Sequence, residues 1–111
     1  MAKSDHLGEF ELIIMLAVIR LRESAYGVPV CREIEEKTGR DVTFGTVYTT
    51  LERLQRKGFI RSELRDPTPE RGGRAKRYFS ATASGLQEVR QTRRALMELW
   101  HGLPELEGAL G

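Results

Sequence analysis

The chain has 111 residues, enough for one compact domain and an extra element for association. With 40% apolar and 31% charged residues it is a folded, water-soluble type of chain, which excludes a disordered or fibrous one. The formal charge of +2 does not by itself point to a polyanion, but its distribution does. Between Arg53 and Arg77 stand nine cations, namely Arg53, Arg56, Lys57, Arg61, Arg65, Arg71, Arg74, Lys76 and Arg77, against Glu63, Asp66 and Glu70. That stretch carries +6 and the remainder sums to −4, an asymmetry that suits one face built for a polyanion. A merely solvated charged surface is the alternative. Cys31 is the only cysteine, so no internal disulfide can form, and a reducing, cytoplasmic interior is expected. The longest apolar run, Leu12 to Ile19, is far short of the roughly 20 residues of a membrane span. The N-terminus has no signal-peptide pattern.

In chain order, Leu7 to Leu21 reads as a first helix. Phe10, Ile13, Ile14, Ala17, Val18 and Leu21 recur at helical spacing, while Leu12, Met15, Leu16 and Ile19 make the other side apolar too. A helix apolar on two sides is buried on two sides, and in so small a protein the second side implies a partner. Ser4 or Asp5 is the expected cap, and Glu9 and Glu11 suit the positive end of the helix dipole. A second, short helix is expected over Val28 to Thr38, with Pro29 in its first turn and Gly39 as its stop. A third, capped by Thr43, carries Phe44, Val47, Tyr48, Leu51 and Leu54 on one side and ends at Lys57-Gly58. Opposite lie Thr46, Thr49, Thr50, Arg53 and Lys57.

The period then changes. Phe59 to Leu64 and Lys76 to Ala81 are strand-like runs around the loop Arg65–Ala75, which holds two prolines and two glycines. Thr82 is a cap for a last helix reaching Trp100 or Leu103. Along it Leu86, Val89, Leu96, Trp100 and Leu103 form a seam at spacings of three and four, interrupted by Arg93 and broadened by Leu99. The segment from Pro104 to Gly111 is expected to be a disordered tail.

Three helices followed by a hairpin with a basic tip is the order of a winged helix-turn-helix. The expected fold is therefore mainly α with a small β-hairpin: a winged helix-turn-helix over residues 1–81, then a dimerisation helix over 82–103 and the tail at 104–111. Short hydroxyl side chains and cations on the third helix fit a major groove about 12 Å wide. Gly72 and Gly73 allow close backbone approach to a phosphate, while Arg71 and Arg74 supply charge there or in a narrow minor groove. Catalytic patterns are missing: there is no Gly-x-Ser-x-Gly elbow, no phosphate loop with lysine and no His-Glu-x-x-His. His6, Glu9, Cys31 and His101 do not have the spacing of a metal site, so neither enzyme activity nor a cofactor is expected.

Several segments taken in order carry a family resemblance: Leu7-Gly-Glu-Phe-Glu-Leu12, Ala25-Tyr-Gly-Val28, Gly45-Thr-Val-Tyr-Thr-Thr-Leu-Glu-Arg-Leu54, Lys57-Gly-Phe-Ile60, Gly72-Gly-Arg-Ala-Lys-Arg-Tyr78 and Thr82-Ala-Ser-Gly85. Together they resemble the PadR-like family of bacterial transcriptional regulators. The resemblance implies a homodimer that binds double-stranded DNA, most simply as a repressor on a near-palindromic operator. It implies DNA contacts from Thr46, Tyr48, Thr49, Thr50 and Arg53 on the third helix and from Arg71, Arg74 and Lys76 on the wing. Many members have proline where this chain has Thr49. It also implies a dimer interface between the last helix and the first helix of the other subunit, here Leu12, Met15, Leu16, Ile19, Leu86, Val89, Leu96, Leu99, Trp100 and Leu103. Two residues have competing readings: Tyr48 packs at the core or touches DNA, and Trp100 anchors the interface or forms the wall of a pocket for a small-molecule effector. The alternative for the whole chain is a winged-helix protein-interaction module that never touches DNA, and a third reading is RNA binding through the wing.

Overall fold

The computed structural model describes residues 6–65 and 75–107. Helix α1 (Glu9–Leu21) leads through a 3₁₀ turn at Arg22–Ser24 into α2 (Gly27–Thr38) and α3 (Phe44–Arg56). Strands β1 (Ile60–Arg65) and β2 (Lys76–Ala81) form an antiparallel hairpin, paired from Ile60 with Ala81 to Arg65 with Lys76. Helix α4 (Ala83–Trp100) and a single helical turn, α5 (Pro104–Glu107), complete the chain. This is the winged helix-turn-helix arrangement expected from the order of elements.

The helix starts show how local chemistry sets the boundaries. The Thr43 hydroxyl accepts from the Thr46 N–H at 3.2 Å, and Thr82 accepts from the Gly85 N–H at 3.0 Å; both satisfy donors that a helix start leaves unpaired. The start of α1 differs from expectation. Gly8 is its N-cap, and the Glu11 carboxylate takes the Gly8 N–H at 2.8 Å, so the helix begins two residues after Leu7. Ser4 and Asp5, the expected caps, lie outside the described residues. Another difference is at Pro104–Glu107, where the expected disordered tail makes a helical turn. Proline fixes the first φ of that turn, and the Leu106 N–H closes it on the Leu103 carbonyl at 3.0 Å.

One core holds these elements together. Ile14, Met15 and Val18 of α1 meet Val30 and Ile34 of α2, Val47, Leu51 and Leu54 of α3, and Phe59, Ile60 and Phe79 of the hairpin. Two hydrogen bonds anchor the hairpin: the Phe79 N–H donates to the Ala25 carbonyl at 2.8 Å, and at its base the Thr82 hydroxyl donates to the Gly58 carbonyl at 2.7 Å. Where α4 begins, Gly85 lies so close that a Cβ would stand 2.1 Å from the Phe59 carbonyl oxygen and 3.0 Å from Met15 Cε. Only glycine permits that approach. Met15 is thereby enclosed within its own subunit, which corrects its assignment to the dimer interface.

The contact between α4 and the rest of the chain lies along its first half, where Glu88 also stands 3.6 Å from His6 Nδ1. Gly85 is buried and Val89 packs against the core, but from Arg93 to Trp100 every residue is exposed. None of the described helices is long and apolar enough to cross a membrane.

Candidate nucleic-acid interface

Helix α3 buries Val47, Thr50, Leu51 and Leu54 and turns its other side outward. At 3.6 residues per turn, Gly45, Thr46, Thr49, Glu52, Arg53 and Arg56 fall within an arc of about 120°, and all six are exposed. Thr46, Thr49 and Arg53 therefore share one accessible flank. The Thr46 hydroxyl accepts from the Thr43 hydroxyl at 2.9 Å, which places a small polar knot at the start of the helix.

Thr50 is not part of that flank. It is only 3% exposed, and its hydroxyl donates to the Thr46 carbonyl at 2.9 Å. Its Cα lies about 40° around the helix from Leu54, close enough to be drawn into the core, and bonding back to the preceding turn satisfies its buried hydroxyl. Thr50 is thus removed from the expected DNA contacts. Tyr48 is half-buried: its ring stacks on Phe44 at 5.7 Å between centroids and meets the edge of Phe79 at 5.9 Å. Its ring is committed to packing within the subunit, while the residue as a whole stays partly exposed.

Arg53 has a neighbour that the spacing of residues did not reveal. Glu11, only 7% exposed, receives two hydrogen bonds from the Lys57 ammonium at 2.9 and 3.0 Å, and the Arg53 guanidinium stands 3.7 Å away. Lys57 also donates to the His6 carbonyl at 3.0 Å. Burial pushes the Glu11 carboxyl up, but the Gly8 N–H, Lys57 and Arg53 together overcome that and hold it below its ordinary value. The carboxylate therefore ties the last turns of α3 to the start of α1. Lys57, expected on the outer face, is instead an internal strut.

At the wing, Lys76 is exposed and its ammonium lies 5.0 Å from the centroid of the Tyr26 ring. The Arg65 guanidinium covers Tyr78 at 4.0 Å, so the loop-proximal half of the hairpin is stiffened by cation–π contacts. Arg71 and Arg74, with Gly72 and Gly73 between them, lie outside the described residues. Sequence reasoning overlooked Glu52 and Arg56. Both lie between Thr46 and Lys57, and a helical wheel taken over every residue of α3 places them on this flank.

A second exposed surface is apolar. Leu96, Leu99 and Trp100 are 48%, 76% and 42% exposed, and Met97, Leu103 and Leu106 are exposed as well. On α1, Leu16 is exposed while Leu12 and Ile19 are half-covered, a stripe at helical spacing. Leu86 is half-buried and borders a groove of about 550 Å³ between α1 and the hairpin. Cys31 is half-buried; burial, helped by the Glu35 carboxylate, pushes its thiol up from the usual value, so little thiolate forms at neutral pH.

Comparison with known proteins agrees with this architecture. The chain is 43% identical over 61 residues to the transcriptional regulator Rv3488 of Mycobacterium tuberculosis, a match covering 55% of this chain and 53% of that protein. It thus spans about half the length of that relative. A PadR family transcriptional regulator from Eggerthella lenta superposes with a TM-score of 0.68 at 26% identity, over 88% of this chain and 85% of that one. A PadR-like transcription factor from Bacteroides fragilis superposes at 0.70 with 22% identity, over 81% and 82%. These relatives are regulators, not enzymes. Residues 15–91 match the transcriptional regulator PadR-like family, and with core, hairpin and helix order all in agreement the chain belongs to that family.

Proposed function

We propose that the protein binds double-stranded DNA as a homodimer and regulates transcription in the cytoplasm, most simply as a repressor that occludes a near-palindromic operator. The observation that carries this reading is the outer flank of α3, where Thr46, Thr49, Arg53 and Arg56 are exposed together on a helix whose other side fills the core. An exposed helix with short hydroxyl side chains and cations can enter a major groove, with threonine methyls free to meet thymine methyls and arginines free to meet guanine edges or phosphates. Two such helices would read half-sites about 10 base pairs, or roughly 34 Å, apart. Lys76, Arg71 and Arg74 would touch the flanking backbone from the wing.

The homodimer follows from the exposed apolar residues of α4. Leu96, Leu99, Trp100 and Leu103 would cover Leu12, Leu16 and Ile19 of the second copy, with Leu86 and Val89 serving both their own core and the seam. An apolar patch of this extent on a helix unsupported by its own subunit favours association.

Titration of a random-sequence duplex at two salt concentrations tests the reading, followed by recovery of genomic fragments on the immobilised protein. Binding that weakens steeply with salt, with enrichment of a two-fold-related motif, is the expected result. Protein that ignores duplex DNA would be a protein-interaction module, and preference for single-stranded RNA would move the activity to the wing. Arg74→Ala should weaken all sites alike and reduce the salt slope by about one.

A further inference from the structure

Glu52 stands at one edge of the exposed arc that carries the flank assigned to DNA, yet its charge is wrong for a phosphate. It is exposed, about 60° around α3 from Thr49 and about 40° from Arg56, one turn further along the axis than Thr49. Arg56, four residues on, is placed to neutralise it, but among the described residues Glu52 takes part in no ion pair. By contrast, Glu11 holds Lys57 and Arg53, and Glu9 holds Arg40. Core packing does not explain Glu52, and a solvated carboxylate here would repel the polyanion that the rest of the flank attracts.

A carboxylate only accepts hydrogen bonds. In a major groove the donors on base edges are the N4 amino group of cytosine and the N6 amino group of adenine; guanine and thymine offer acceptors at the equivalent positions. Adenine also places its N7 acceptor beside N6, where it would face the second carboxylate oxygen, so cytosine is the better partner. Opposite guanine or thymine the charge would be desolvated against acceptors and left unpaired, which is costly. Building on the DNA-binding reading above, we propose that Glu52 is a specificity-determining residue, accepting a hydrogen bond from the N4 amino group of a cytosine in each half-site. Its repulsion of the backbone also weakens attachment to non-specific DNA, which widens the gap between operator and competitor.

The experiment is selection from a randomised duplex library by the full-length protein, by Glu52→Gln and by Glu52→Ala, with affinities for the selected and for random duplexes at two salt concentrations. The parent protein should select cytosine at one position in each half-site, by about tenfold over the other bases. Glu52→Gln should move that position to adenine, because the amide offers one donor and one acceptor to N7 and N6. Glu52→Ala should lose the preference at that position alone and bind random duplex about two- to fivefold more tightly. Thermal melting of both variants should match the parent, since no described contact is lost. If the parent selects a motif and both variants select it unchanged with unchanged affinity for random duplex, the role of Glu52 is refuted while DNA binding stands. If the parent binds no duplex at all, both readings fall.

Discussion

Helices α3 and α4 begin in the same way and are used in opposite ways. Each is opened by a threonine whose hydroxyl takes an N–H from the first turn, Thr43 for α3 and Thr82 for α4. Each then diverges: α3 buries four residues and exposes a polar flank, whereas α4 buries only Gly85 and exposes leucines and a tryptophan. An outward face of hydroxyls and arginines is stable in water and asks for a polar, anionic partner. An outward face of Leu96, Leu99 and Trp100 is not, and asks for another apolar surface. In the proposed function the two helices serve separate external tasks, one toward nucleic acid and one toward a second copy of the subunit.

Substitutions can break or sharpen this contrast. The largest effect should come from the buried side of α3: Leu51→Ala should cost about 2–5 kcal/mol in denaturant unfolding, because it opens a cavity among fully buried neighbours. A loss under 1 kcal/mol would mean the core is not organised around this helix. Next comes the free face of α4. Trp100→Ala should weaken self-association about 30-fold, equivalent to about 2 kcal/mol, in sedimentation measured across a concentration series. An unchanged oligomer would show that the apolar patch is covered by something else.

Smaller again is the tie between α1 and α3. Glu11→Gln should lower stability by about 1–2 kcal/mol at neutral pH, since Lys57 then loses its charged partner. Its pH dependence has a definite sign. The Glu11 carboxyl is held below its ordinary value in the folded state, so its contribution is fully present above that ordinary value and disappears as pH falls through the folded one. The gap between parent and variant should therefore close in acid; a gap that persists at pH 2–3 would assign the loss to packing instead. The smallest effect belongs to the outer flank itself: Thr49→Ala should leave melting unchanged and alter base preference by about 1 kcal/mol or less in duplex competition. A destabilised Thr49→Ala would place that residue in the core, as the structure does for Thr50.

Thr49 and Thr50 mark the limit of what could be read in advance. Both belong to the polar run of α3, and periodicity put both on the outward side. Their separation depends on one step of about 100° around the helix, and on how far the packing of Leu54 and Val47 against α1 and the hairpin extends round that cylinder. Met15 shows the same thing on α1: its spacing fits either side, and the close approach of Gly85 decides that it belongs to the core.

The elements themselves were legible. Lys76–Ala81 as the second strand, Thr43 and Thr82 as caps, Gly39 in the left-handed conformation after α2, and Gly58 likewise after α3 all follow from neighbours within four residues. Their causes are local hydrogen bonds and backbone sterics, which a sequence states directly. The union of Glu11, Lys57 and Arg53 was not legible, because 46 residues separate Glu11 from Lys57 and only the folding of α1 against α3 brings the charges together. Sequence determined the order of the helices and strands, most of their boundaries and which faces are apolar; the tertiary structure decided which polar side chains remain free to meet a partner, because that depends on long-range packing.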